Sequence, residues 1–420
     1  MRTRRRLLSD ITPLRESRQY RLLYAGELLA FLGSQLTVVA VPLQVYLLTR
    51  SSLAVGLVGL AQLGPLLVCS LLGGAVVDAV DRRMLLVWVQ LARGALAVGL
   101  VANALRPQPM LWPLYALTAA GAGLQAVDAP ARTAAIPALV RRELLPAAAA
   151  LHQILMQVGL VAGPALAGLL VDQAGLAAAY AIEVATFAAA SLLAVVLRPL
   201  PPGEGAARAG IASIREGLRF LRGRRALQGT FFIDLNAMVF GMPRALFPAL
   251  GTGLFHGGPG TVGLLYAAPG AGALLGALTA GWVGGVRRQG RAVLVAVTVW
   301  GAAITVFGLV SWLPLAFALL AAAGAADVIS AVFRNTILQL TVPDGLRGRL
   351  AAIHIGVVTG GPRLGDAEAG AVAAIAGPRV SVVSGGLACL AGVALIAWRL
   401  PELGRTAIEP SDPGAQQLDL

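Results

Sequence analysis

The sequence predicts an all-α membrane protein of twelve transmembrane helices, arranged as two pseudo-symmetric six-helix bundles. Three observations predict it. Of 420 residues, 57% are hydrophobic and only 13% charged, about half the ~25% charge of a soluble chain. Twelve apolar runs are each long enough to cross a bilayer, which takes about 20 residues. The polar connections between those runs alternate without exception between Arg-rich and nearly uncharged.

The runs cover residues 20–48, 53–78, 84–105, 111–136, 145–171 and 175–197, then 227–254, 260–285, 291–311, 314–340, 349–375 and 379–399. They are continuous and rich in Ala, Leu, Val and Gly. A membrane β-barrel would show alternating segments of about ten residues instead. The formal net charge is +13, from 33 basic and 20 acidic residues, and every basic residue is Arg. These arginines are dispersed between apolar runs. A nucleic-acid face would gather them on one polar surface, so no nucleic-acid partner is expected.

The arginines sort by connection. One set of connections holds Arg2, Arg4, Arg5, Arg6, Arg15 and Arg18, then Arg82 with Arg83, Arg141 with Arg142, the stretch 198–225, Arg287 with Arg288 and Arg291, and Arg347 with Arg349. The other set is short: 50–52, 106–109, 172–173, 255–257 and 311–314. The positive-inside rule places the first set and both termini in the cytoplasm of a multi-pass cell-membrane protein. The division is then an arm at 1–18, a bundle at 19–200, a linker at 201–225, a bundle at 226–400 and a tail at 401–420. Within the linker, Ile211, Ile214, Leu218 and Leu221 fall at helical spacing with Arg elsewhere, which predicts a basic amphipathic helix on the inner membrane surface. A solvated linker helix is the other reading.

The halves resemble one another. VGLAQLGP at 58–65 and VGLLYAAP at 262–269 lie 204 positions apart. Arg132 and Arg334, and likewise His152 and His354, lie 202 apart. Duplicated helical units with a site between the halves are a pattern of secondary transporters.

The loop GGAVVDAVDRR at 73–83 resembles the cytoplasmic loop motif of the major facilitator superfamily. Gly74, Asp78, Arg82 and Arg83 match it, while Ala79 and Asp81 depart from it. The resemblance implies a gating role for Asp78. The second-half loop GWVGGVRRQG keeps the glycine and the basic pair without the aspartate. VAVPLQVYLLTRSSLAVGL (39–57), IPALVRRELL (136–145), RALFPAL (244–250) and GLLYAAPGAGALLGALTAG (263–281) resemble the enterobactin-exporter-like branch, which also holds drug:proton antiporters. That resemblance implies export of a hydrophobic or amphipathic small molecule (a siderophore, antibiotic or drug) by proton antiport. An importer of a small metabolite is the alternative, and a membrane sensor or enzyme a more distant one. VGLVAGPALAG resembles the antiporter motif of drug exporters, with Gly159, Gly163, Pro164 and Gly168 matching.

Charges inside apolar helices each cost about 2.5–3.5 kcal/mol by insertion scales, so each needs a partner or a task. Asp128 and Arg132 are spaced to pair on one helix face, as are Arg363 and Asp366. Both pairs read as structural. Glu27 and Asp234 each open a half and have no nearby partner in sequence, so they are the first candidates for carrying a proton; Asp327 is a third. Arg93 and Arg334 are fixed cations, suited to an anionic substrate, a carboxylate or a helix-end anchor. His152 and His354 read as polar residues near the cytoplasmic face without a coupling role. Cys69 and Cys389 sit in apolar runs and read as small buried hydrophobes. Nucleotide, dinucleotide and metal motifs are absent from the sequence, so the expectations are no cofactor, no metal, the proton gradient as energy source, and a monomer in the lipid bilayer.

Overall fold

The computed structural model describes residues 10–201 and 211–407, with the side chains of 75, 78, 211–214, 344, 345, 347–349, 351 and 352 outside the described set. Every regular element among the described residues is helical. Two compact units divide the chain: Met1–Ala209 with Phe247–Ala267, and Gly210–Leu246 with Ala268–Leu420.

The first unit begins with α1 (Thr12–Glu16) and α2 (Arg18–Thr49), followed by α3 (Ser52–Ala79), α4 (Arg82–Ala104), α5 (Leu111–Leu139) and α6 (Leu145–Val195). Local chemistry sets the helix starts. The Ser17 hydroxyl accepts from the Tyr20 amide at 3.1 Å, and Ser51 caps α3 through the Ala54 amide. Asp81 caps α4, accepting from the amides of Arg83 at 2.8 Å and Met84 at 3.2 Å. Each satisfies a donor that the first turn leaves without an intrahelical partner. The long α6 is interrupted at Gly175, where φ is +80°. That left-handed backbone favours glycine, and it marks the break expected between runs 145–171 and 175–197.

The remaining elements are α7 (Ile211–Leu221), α8 (Arg225–Phe240), α9 (Phe247–Ala249), α10 (Pro259–Thr279), α11 (Gln289–Leu309), α12 (Leu313–Thr341), α13 (Asp344–Ala376), α14 (Pro378–Arg399) and α15 (Pro401–Arg405). The expected linker helix is present as α7. The run 227–254 is not one helix, contrary to its apolar continuity. It stops at Phe240, and a 3-10 turn (Arg244–Leu246), α9 and a π turn (Leu250–Leu254) follow. Pro243 has no amide to donate, the Ala245 amide goes to Asp366 at 3.0 Å in place of Gly241, and the Trp300 indole Nε1 donates to the Gly241 carbonyl at 2.7 Å.

Among the described residues, eight helices are long and apolar enough to cross a membrane: Arg18–Thr49, Ser52–Gly74, Arg82–Ala104, Arg142–Val195, Pro259–Gly285, Gln289–Leu309, Leu313–Thr341 and Pro378–Arg399. The other expected runs fall in α5, α8 and α13. The first and last of these carry the intramembrane charges Asp128, Arg132, Arg363, Asp366 and Glu368, and α8 has only 16 residues. Small residues bring helices close in both units. In the first unit Ala30, Ala97 and Ala190 pack around Phe187. In the second, the backbones of Gly272 and Ala321 lie in direct contact. Packing through small residues replaces the hydrophobic drive that lipid cannot supply. Trp112, Trp312 and Trp398 project outward near helix ends, the pattern of an interfacial aromatic belt.

Candidate functional site: buried charge clusters in each unit

Among the described residues of the first unit, two clusters of buried acids and their partners stand out. In one, Asp128 is enclosed by three partners. Arg132 Nε lies 2.9 Å from Oδ2, Gln90 Nε2 donates to Oδ1 at 2.7 Å, and Arg93 approaches Oδ2 to 3.9 Å. The Arg93 guanidinium also sits 4.4 Å over the Phe187 ring, a cation–π contact that replaces lost hydration. The expected Asp128–Arg132 pair is therefore present, and Arg93 joins it. Glu183, from the second part of α6, is buried nearby and accepts from the Thr37 hydroxyl of α2. The charge of Arg93 reaches it.

In the second group Glu27, which has no partner nearby in sequence, meets one across the fold: His152 Nδ1 lies 2.9 Å from its Oε1. The two are 125 positions apart, so no local spacing announces the contact. Packing of α2 on α6 creates it, braced by two phenols that donate to α6 carbonyls, Tyr20 to Ala148 at 3.1 Å and Tyr24 to Leu151 at 3.2 Å.

In the second unit Asp234, which has no partner nearby in sequence, is paired across the fold, and Arg334 holds a carboxylate as one of its readings allowed. Arg334 lies 2.9 Å from Asp234 Oδ1, and His354 Nδ1 lies 3.6 Å from Asp234 Oδ2. Asp234 is fully buried. Asp327 reaches the same guanidinium at 3.8 Å, and Ser330 accepts from Arg334 at 2.7 Å. Two carboxylates therefore share one arginine. The histidines, set aside in the sequence reading, stand beside the first-helix carboxylates in both units. The signal that could have found them was the repeat itself. Arginines 132 and 334 and histidines 152 and 354 recur at one offset, while each carboxylate opens its half.

The Arg363–Asp366 expectation resolves differently. Arg363 donates to the Thr359 carbonyl on its own helix at 2.7 Å. Asp366 accepts from the Ala245 amide at 3.0 Å, with the charges of Arg244 and Arg363 both acting on it. It thereby fixes the broken segment after α8, a role the sequence did not suggest.

At the loop motif, the Asp78 side chain lies outside the described residues. Gly74 ends nothing and has open space around it. Arg82 donates to the Ala134 carbonyl at 3.3 Å and Arg83 to Val195 at 2.6 Å. Asp81 does more than cap α4: its Oδ2 accepts from the Leu200 amide at 2.9 Å. In the antiporter-like stretch each glycine meets a neighbour. Gly159 abuts the Phe31 ring, and Gly163 abuts Gln35. A Cβ on Gly168 would stand 2.6 Å from Gly263 Cα. Pro164 is buried within the same helix.

A family model described as a transmembrane secretion effector matches residues 8–420. The chain belongs to this family of major facilitator superfamily transporters. It is similar to proteins named enterobactin exporter EntS. The one from Citrobacter koseri is 29% identical over 414 residues, covering 98% of this chain and 99% of that one. The one from Shigella boydii is 29% identical over 401 residues and covers 95% of each chain. Among solved structures, the nucleoside transporter NupG superposes with a TM-score of 0.70 at 12% identity, covering 92% of this chain and 99% of that one. A bacterial homologue of the iron transporter ferroportin, in an inward-facing state, gives 0.64 at 16% identity, covering 92% and 98%. These structural likenesses establish the fold alone; the family match makes the chain a multi-pass membrane transporter.

Proposed function

We propose that the protein exports an amphipathic small molecule of the siderophore class across the cell membrane by proton antiport. In this reading it is a twelve-span monomer of two six-helix bundles that alternate access, with both termini in the cytoplasm. The similarity to enterobactin exporters along nearly the whole of both chains carries the substrate class. The length of Arg142–Val195, broken at Gly175, suits two crossings, and α5, α8 and α13 supply the charged spans that complete twelve.

The buried clusters support coupling to protons rather than to a nucleotide. Asp234 and Asp327 share Arg334, and the charge of Arg244 also acts on Asp327. Two acids this close in a low-dielectric setting titrate as a pair, and one of them can take up a proton. Glu27 is the corresponding acid of the first unit. Proton entry from outside onto these acids would drive the step that releases substrate, and the arginines Arg93, Arg132 and Arg334 stay charged throughout.

The test is transport of enterobactin into inverted membrane vesicles carrying an imposed pH gradient, followed by dissipation of that gradient. Substrate-dependent proton flux supports the reading. Enterobactin uptake that ignores the gradient removes antiport, and absence of uptake removes the substrate class.

A further inference from the structure

We propose that His152 is the port through which the proton held on Glu27 is released to the cytoplasm. The inference rests on the antiport reading above and adds a residue and a route to it. The geometry is specific. The Glu27 side chain is 9% exposed and the His152 side chain 34%, with 2.9 Å between Oε1 and Nδ1. The buried acid therefore meets solvent through the imidazole. His152 lies one helical stretch beyond Arg141 and Arg142, on the side the positive-inside rule assigns to the cytoplasm.

Every charged or titratable neighbour fits this role. The charge of Glu27 is felt by Tyr20 and Tyr24 of α2 itself, and both hydroxyls are committed to α6 carbonyls. Arg132 of α5 acts on His152 and is already held by Asp128. Among the described ion pairs, Glu27 has no guanidinium partner, in contrast to Asp234 with Arg334. The guanidinium beside Asp234 favours its ionised form, whereas an acid facing an imidazole can exchange a proton directly with it. That contrast selects the first-unit pair over its counterpart, Asp234 with His354.

The transfer balances atom for atom. In the loaded state the Glu27 O–H faces the Nδ1 lone pair, and Nε2 carries the ring proton. The Nε2–H bond breaks to water as the Glu27 O–H bond breaks and an Nδ1–H bond forms. One proton leaves the pair and the carboxylate is left ionised beside Nδ1–H. Loading from the same side is the reverse. The relay leaves Nδ1 protonated and Nε2 bare, so loss of the Nδ1 proton to water and return of one to Nε2 reset the ring before the next cycle; an amide side chain has no second nitrogen for such a relay.

The test compares wild type, His152→Gln and Glu27→Gln in proteoliposomes with enterobactin as the probe. Initial rates are read across pH with and without a gradient. His152→Gln is expected to lose gradient-driven transport by roughly tenfold or more and to flatten its pH profile. An unchanged thermal shift with enterobactin would show it folded. External imidazole should restore the rate and profile to His152→Ala, which a packing role would not allow. In protein with isotope-labelled histidine, the His152 titration curve should move in Glu27→Gln. A wild-type profile and rate in His152→Gln, or no rescue of His152→Ala, overturns the assignment while leaving antiport standing. Wild-type transport indifferent to the gradient overturns antiport and this route together.

Discussion

Gly168 of α6 and Gly263 of α10 meet backbone to backbone, with no space for a methyl group. A Cβ on the first would stand 2.6 Å from the Cα of the second, and 2.8 Å from the Pro259 carbonyl. A Cβ on Gly263 would stand 2.5 Å from Gly168 Cα and from the Pro164 carbonyl. Because the obstacle is backbone, neither side can yield by changing rotamer. Gly168→Ala and Gly263→Ala should each cost about 1–3 kcal/mol of strain. The measurement is the melting temperature of purified protein in detergent, which should fall for both variants. The double variant should fall no more than additively plus the extra clash. An unchanged melting temperature would mean the two backbones are not held in contact.

Arg334 serves two carboxylates, at 2.9 Å for Asp234 and 3.8 Å for Asp327, and this predicts an ordering. Arg334→Gln removes the counter-charge that both acids share and should be the most damaging change in this cluster, costing about 3–5 kcal/mol. Asp234→Asn removes one acid and leaves the guanidinium paired with Asp327, so it should cost less. Adding Asp234→Asn to Arg334→Gln should recover part of the loss. Expression and melting temperature of the three variants check the order. Equal losses in all three would deny that the arginine is shared.

Two aspartates three positions apart in one loop should separate gating from structure. Asp81 caps α4 and also binds the Leu200 amide. Asp81→Ala should cost about 1 kcal/mol for the cap, lower the melting temperature, and expose the chain near Leu200 to protease. Asp78, matched to the family motif, should behave oppositely: Asp78→Asn abolishes transport while insertion and melting temperature hold. Efflux preserved in Asp78→Asn would remove it from gating.

The contrast shows what sequence could and could not reveal here. Span positions were legible because lipid demands long apolar runs, and the break at Gly175 was legible because polar residues 172–173 interrupt one. Asp128 with Arg132 was legible because one helix turn fixes their distance. Glu27 with His152 was not, since their contact depends on how α2 packs against α6. Asp234 with Arg334 was hidden for the same reason, joining α8 to α12. The broken segment after Phe240 was masked by hydropathy: apolarity measures transfer into lipid and does not register the amide that Pro243 lacks.

The last prediction concerns the short helix α15, which docks through one apolar side chain and one ion pair. Leu403 is fully buried. It packs on Gly229 of α8, and its carbonyl lies against Gly290 of α11. Glu402 beside it is exposed and pairs with Arg225 at 3.1 Å. A hydrogen bond from its own backbone amide, then one from Arg225, hold its carboxyl below the ordinary glutamate value of 4.5. A lowered value means the ionised form favours the docked helix. That contribution is present at neutral pH and is lost as pH falls through the lowered value. Solvent screens an exposed pair, so its worth is small. Leu403→Ala instead empties a packed site, at about 2–5 kcal/mol. Glu402→Gln should therefore leave protease resistance at the C-terminal helix nearly unchanged at pH 7, whereas Leu403→Ala should release it at every pH. Release by Glu402→Gln at pH 7 would show that the ion pair, not the leucine, holds α15 in place.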